Sequence, residues 1–366
     1  MIEDKLGSVL QRPDFQQVYQ RGDITSSVIG ALEMFDGLAL ACQYSNTRTI
    51  FQFCARFFES FVQLMTVYKS VPEVQLAILL LFADLCKRID LGLLSDRDRQ
   101  MLFHTIVEVV KAFGVSNQHT KRMHSQEVEQ DKPYADISTV LVMLSNIVSL
   151  SVEDFSRKTT DDNADVAHVV LVGTNIVIPM IDMEMLKIPS LCQQYIQLIS
   201  HLIQVFPDKL SGLPTPLFLN LMASLEYGIR HDISDVNILT LHAITPLTLW
   251  SCQQNVGGIE TEFLKEPLQK FLQELLQCLL FQHLDSNIVD AAADALLALI
   301  CAQRSVYMLL ANQIIAQQPA DIQSRLTHAF QKLDHATPPQ PQRSVPEFRE
   351  ALLAFLMDVR AVLRVK

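Results

Sequence analysis

The sequence predicts an all-α protein, built as a right-handed α-solenoid of stacked helical hairpins. Three observations predict it. Hydrophobic residues make up 49% of the 366 residues and glycine only 11 of them, and the long stretches are crowded with Leu, Ala and Gln, which favours helix over sheet. No six-residue window alternates apolar and polar residues between turn signals, as a half-buried strand would. Similar helix pairs also recur. Residues 214–250, "PTPLFLNLMASLEYGIRHDISDVNILTLHAITPLTLW", and 267–302, "PLQKFLQELLQCLLFQHLDSNIVDAAADALLALICA", each begin with proline and a Leu-rich amphipathic helix. Each then passes a short acidic turn into a second helix of the form xVxxxxxxAxxxL, and residues 51–85 are a fainter copy. Copies about 50 residues apart have the layout of HEAT-type repeats. One such hairpin cannot bury its apolar stripe alone, so neighbours must stack, and a run of consecutive hairpins does not close into a single bundle.

Prolines and polar clusters place the elements in order, with helices near 24–43, 48–69, 73–90, 96–113, 134–151, 163–180, 188–206, 215–230, 234–252, 260–282, 286–302, 304–317, 319–333 and 345–363. Pro72, Pro133, Pro189, Pro216, Pro319 and Pro346 fall at or near first turns, which suit a residue with fixed φ and no N–H. In the helix over 286–302, Val289, Ala293, Leu296, Leu297 and Ile300 form the apolar stripe, and small Ala291, Ala292 and Ala293 allow close approach of partner helices. The whole chain, 1–366, reads as a single HEAT-repeat array. Within it 1–45 is an incomplete N-terminal repeat, 114–133 a polar loop insert, 334–344 a Pro-rich loop and 345–363 a C-terminal helix. The first long helix carries Val28, Ile29, Leu32, Phe35, Leu38 and Leu40, and it is expected to present an apolar patch where a preceding repeat would stack.

Lys and Arg total 29 against 40 Asp and Glu, a net charge of −11. That balance disfavours nucleic acid and favours basic partners, or serves solubility alone. The seven cysteines contain no CxxC pair and sit mostly in apolar helical stretches, as small buried hydrophobes of a reducing compartment do. The N-terminus lacks the basic-then-apolar order of a signal peptide, and the longest apolar run, 166–181, is too short to span a bilayer, so a soluble intracellular protein is expected.

No dinucleotide, phosphate-loop, GxSxG or HExxH motif is present. The expectation is therefore no enzyme, no cofactor and no metal. His119 and His124 are five apart in a loop without Cys or carboxylate support, His201 and His242 lie within helices as structural residues, and "VGGIE" at 256–260 reads as a turn. The acids are the better lead. Asp290 and Asp294 are i,i+4 and share a helix face offset from the apolar stripe, while Asp232 and Asp235 flank the preceding turn. In HEAT arrays the second helix of each unit lines the concave surface, where acids would attract a basic partner. The alternative for each is a merely solvated face.

The stretch 188–229, "IPSLCQQYIQLISHLIQVFPDKLSGLPTPLFLNLMASLEYGI", with "VYKSVPEV" at 67–74, "VVLVGTNIVIPMI" at 169–181 and the C-terminal "FLMDVRAVLRVK", resembles the C-terminal repeats of exportins of the importin-β superfamily of nuclear transport receptors. The resemblance implies HEAT repeats and carriage of protein cargo through nuclear pores under control of the GTPase Ran. It also implies shuttling between nucleus and cytoplasm, contact with nuclear pore proteins, and cargoes such as the hypusine-bearing translation initiation factor 5A and Smad-family proteins, with import of Sox-family factors. Members of that family are much longer, so the N-terminal repeats that form the main Ran contact have no counterpart here, and no short motif carries over cargo-binding residues. A static HEAT scaffold without a Ran cycle is the competing reading.

Overall fold

The computed structural model describes residues 2–10, 12–117, 134–153, 160–256, 261–282, 284–338 and 345–361. Among these are 17 α-helices and no strand, and the chain divides into two compact units, 1–198 and 199–366.

In the first unit α1 (Ile2–Leu10), α2 (Phe15–Val18) and α3 (Gly22–Leu40) precede a broken helix, α4 (Thr47–Ala55) and α5 (Phe58–Val67). Then come α6 (Pro72–Arg88), α7 (Asp96–Asn117), α8 (Ala135–Glu153) and α9 (Thr160–Val177). With the broken α4–α5 counted as one, helices pack on the helix two further along, α3 on α6 and α6 on α8 in one row, α5 on α7 and α7 on α9 in the other, and hairpin contacts such as α5–α6 and α8–α9 join the rows. This is the stacking the recurring pairs required. α6 shows the local logic. Pro72 opens it, Glu73 sits in its first turn and Lys87 and Arg88 in its last, matching the helix dipole at both ends. Ile78, Leu79, Leu81, Phe82 and Leu85 are fully buried because both rows press on it.

Three expectations are corrected here. The helix expected over 48–69 breaks at Arg56 and Phe57, with a 2.9 Å Phe57 N–H to Cys54 carbonyl bond closing the turn. The break lets Phe53, Phe57 and Phe61 all reach the Phe35 ring, at 5.7, 4.9 and 5.1 Å between centroids. The loop insert does not start at residue 114, because α7 continues to Asn117. Gly114 is not a loop signal but a close approach, since a Cβ there would lie 2.5 Å from Ile176 Cγ2 of α9. The N-terminal apolar patch is largely covered. α1 packs on α3, burying Leu6 and Val9, and Val28, Leu32 and Phe35 are buried, so large exposed apolar side chains at this end reduce to Leu40 and Tyr44. Residues 118–133, with His119, His124 and Pro133, lie outside the described residues, as do 257–260.

The boundary between units falls within α10 (Pro189–Val205). The second unit contains α11 (Thr215–Ile229), α12 (Ser234–Val256), α13 (Glu262–Phe281), α14 (Ser286–Ala302), α15 (Arg304–Ala316), α16 (Ala320–His335) and α17 (Pro346–Arg360). α11–α12 and α13–α14 are the hairpins read from the two best copies, with α11 on α13 and α12 on α14 as rows. α13 starts at Glu262, close to the start expected near 260, and Pro267 stands inside it, as Pro246 stands inside α12. Each interior proline removes one intrahelical bond, and packing on both neighbours holds the helix together. α14 is buried almost all round, with Ala291 through Ala293 and Ala295 through Ile300 buried, and α17 packs on α13, α14 and α16. The expected Pro-rich loop does not start at 334, since Asp334 and His335 end α16; residues 339–344 lie outside the described residues. No single helix among the described residues is long and apolar enough to cross a membrane.

Candidate functional site

The acids singled out in the sequence separate into two groups. Asp232, Asp235 and Asp290 are exposed. They gather with Asp285, which the sequence reading did not select, where the N-terminal ends of α12 and α14 lie side by side. Ser234 Oγ donates to Asp285 Oδ2 at 3.3 Å and ties the two turns together across 51 residues, one repeat. None of the four acids forms an ion pair among the described residues. The result is an exposed acidic edge at the starts of the second helices of two consecutive repeats. Acids at helix N-termini also complement the helix dipole, which gives the same residues a structural use. Beside the edge, His231 Nδ1 accepts the Ile233 N–H at 3.1 Å, and burial lowers its pKa despite the charge of Asp232.

Asp294 belongs elsewhere. Arg349 of α17 grips it with two hydrogen bonds, Nε to Oδ1 at 3.1 Å and Nη2 to Oδ2 at 2.7 Å. The hydrogen bond to Asp294 leads the causes that raise the Arg349 pKa, and the charge of Asp290 adds to them. The i,i+4 face therefore carries one acid with no ion pair among the described residues and one that docks the last helix. A second arginine completes that docking: Arg360 Nε and Nη2 donate to the Leu279 carbonyl at 2.9 and 2.6 Å. Arg349→Ala should cost about 1–2 kcal/mol, between an exposed pair and a desolvated bidentate one, read as a lower urea midpoint at unchanged slope. Sequence reasoning also missed Glu274, which is buried and answered by Arg230 just after α11. An acid in the Gln-rich face of α13 gives no sign by itself that a partner 44 residues earlier will reach it.

A cavity of about 300 Å³ lies between Ser251, Lys265 and Gln303. Its buried hydroxyls, Ser251 and Thr261, bond each other at 2.6 Å, and Glu262 pairs with Lys265 at 3.0 Å, so no nucleophile meets a base. No group of His, Cys, Asp and Glu able to hold a metal occurs among the described residues. His201 is half-buried in α10 and His242 exposed on α12. All seven cysteines are free, five of them buried. Burial pushes the thiols of Cys54 and Cys86 up to about 12 and those of Cys192 and Cys252 to about 11, which keeps them protonated and inert.

Helical hairpins stacked in two rows, with an exposed charged edge, define a helical-repeat protein of the α-solenoid class. Within that class the chain belongs to the Exportin-4 family, whose sequence profile matches residues 1–366. Exportin-4 of Dictyostelium discoideum is 21% identical over 376 aligned residues, an alignment covering 100% of this chain and 32% of that relative. The chain thus spans about a third of the relative's length. The family is one of transport receptors rather than enzymes.

Proposed function

We propose that this chain is a segment of a nuclear export receptor that binds protein cargo in a Ran-GTP-dependent cycle, shuttling between nucleus and cytoplasm and meeting nuclear pore proteins on the way. The family supports the cycle. The observation that carries the binding mode is the exposed edge of Asp232, Asp235, Asp285 and Asp290 at the starts of α12 and α14, two turns tied by the Ser234–Asp285 bond, with no ion pair to any of the four among the described residues. Such an edge suits a basic cargo surface, and the hypusine-bearing translation initiation factor 5A, with its extra positive charge, fits it better than a neutral partner. Smad-family proteins are the second cargo class. Asp294 contributes less, because its charge is already answered by Arg349. The competing reading is a static scaffold, favoured only by the use these acids also have as helix-dipole partners.

Asp235→Asn with Asp290→Asn in the full-length receptor tests the binding mode. Each exposed interfacial charge is worth roughly 0.5–1 kcal/mol, so cargo affinity should fall about fivefold to thirtyfold. The loss should sit mainly in the association rate and shrink with salt, which screens such steering over about 10 Å. Unchanged affinity at low salt returns these acids to a solvated or dipole-balancing role.

A further inference from the structure

We propose that Asp36 of α3 and Asp84 of α6 share one proton across the seam between these helices, so that the first unit is held more tightly in mild acid than at neutral pH. α3 packs on α6, Asp36 and Asp84 are both only partly exposed, and the Asp84 carboxyl stands within hydrogen-bonding reach of Asp36. Asp36 Oδ1 is buried, and no donor reaches it among the described residues. A buried carboxylate oxygen without a donor is costly. Its neighbour here is another acceptor, so the orphan is satisfied when one of the two carboxyls is protonated and supplies the missing O–H. Two carboxylates at that range do not readily both ionise.

Among the described residues the surroundings offer no other remedy. Lys87 and Arg88, the cations nearest in sequence to Asp84 on α6, are exposed. Arg48 of α4 donates to the Leu93 carbonyl, and Arg56 lies over the Phe53 and Phe57 rings. Glu33 of α3, Glu59 of α5, Glu73 of α6 and His104 of α7 are exposed, and Asp136 on α8 accepts the Ile137 N–H. Burial, then the charge and hydrogen bond of Asp84, raise the Asp36 carboxyl to about 6.

The sign follows from proton counting. The folded chain binds a proton at this pair up to about pH 6, whereas an unfolded aspartate releases it near pH 4. Over that window the native state holds more protons than the unfolded one, so this contribution is fully present below about pH 4 and is lost as pH rises through about 6. Asp36→Asn supplies a permanent donor to Asp84. In the full chain it should raise the melting temperature at pH 7.5 by roughly 2–4 °C and flatten the wild-type decline between pH 5 and 7. Asp84→Asn should do the same, which guards against a fault peculiar to one variant. Infrared titration of the wild type should show a protonated-carboxyl band near pH 6 that both variants lack. Variants that melt lower at both pH values, a wild type without that band, or a wild type stabilised at pH 7.5 by millimolar calcium or magnesium would overturn proton sharing, the last by showing that the pair is a cation site.

Discussion

Gly228→Val is expected to destabilise the second unit by about 3–5 kcal/mol, the upper end of what overpacking and strain inflict. Gly228 stands in the last turn of α11, where a Cβ would overlap Thr240 Oγ1 of α12 and come within 3.1 Å of Thr240 Cβ and Cγ2. Thr240 cannot step aside. It is fully buried, its β-branch restricts χ1, and its hydroxyl donates to the Val236 carbonyl at 2.7 Å. Even Gly228→Ala should destabilise, by about 1–2 kcal/mol net. Alanine gains up to about 1 kcal/mol of helix propensity, but less near a helix end, and the clash outweighs it. Thr240→Ala removes the overlapping oxygen and the methyl group. The double variant should therefore cost less than the sum of the single ones, with a coupling of about 1 kcal/mol or more by urea denaturation. Strictly additive losses would mean that the two helices do not meet at this glycine.

The next largest effect falls in the first unit. Phe61 of α5 is fully buried. Its ring lies 5.1 Å from Phe35 of α3 and 6.1 Å from Phe82 of α6, edge-on to both. It joins the two rows at the point where the α4–α5 break turns the chain. Phe61→Ala removes a full aromatic burial and leaves a cavity that three helices cannot easily close, so the expected cost is about 3–5 kcal/mol. Phe61→Leu keeps most of the volume and should cost no more than about 1.5 kcal/mol. A Phe61→Ala variant within about 1 kcal/mol of wild type would show that this cluster is not where the rows are joined.

Helix existence was legible because it depends on local periodicity. Each of the fourteen segments read from the sequence contains a helix, and the two best copies became the hairpins α11–α12 and α13–α14. What failed was local punctuation overridden by packing. The α4–α5 break has neither proline nor glycine, and it arises because three phenylalanines converge on Phe35. Gly114 resembled a loop start because a glycine in a polar context usually marks one, yet its use is proximity to Ile176. The site was legible only by half. Spacing put Asp290 and Asp294 on one face, but it could not show that Arg349, 55 residues on, takes the second of them. Asp285 escaped notice because its importance lies in Ser234, one repeat away. Charge type is written in the sequence, and charge pairing between repeats is not.

The measurement that bears most directly on the transport account is cargo binding by the full-length receptor with and without GTP-loaded Ran, at fixed low salt, with the wild-type and Asp235→Asn/Asp290→Asn proteins side by side. The account predicts that GTP-loaded Ran tightens wild-type binding of a basic cargo at least fivefold, a coupling of about 1 kcal/mol or more, and that the variant binds more weakly in both states. Cargo affinity that is the same with GTP-loaded Ran, GDP-loaded Ran and no Ran would contradict it and leave a static helical scaffold.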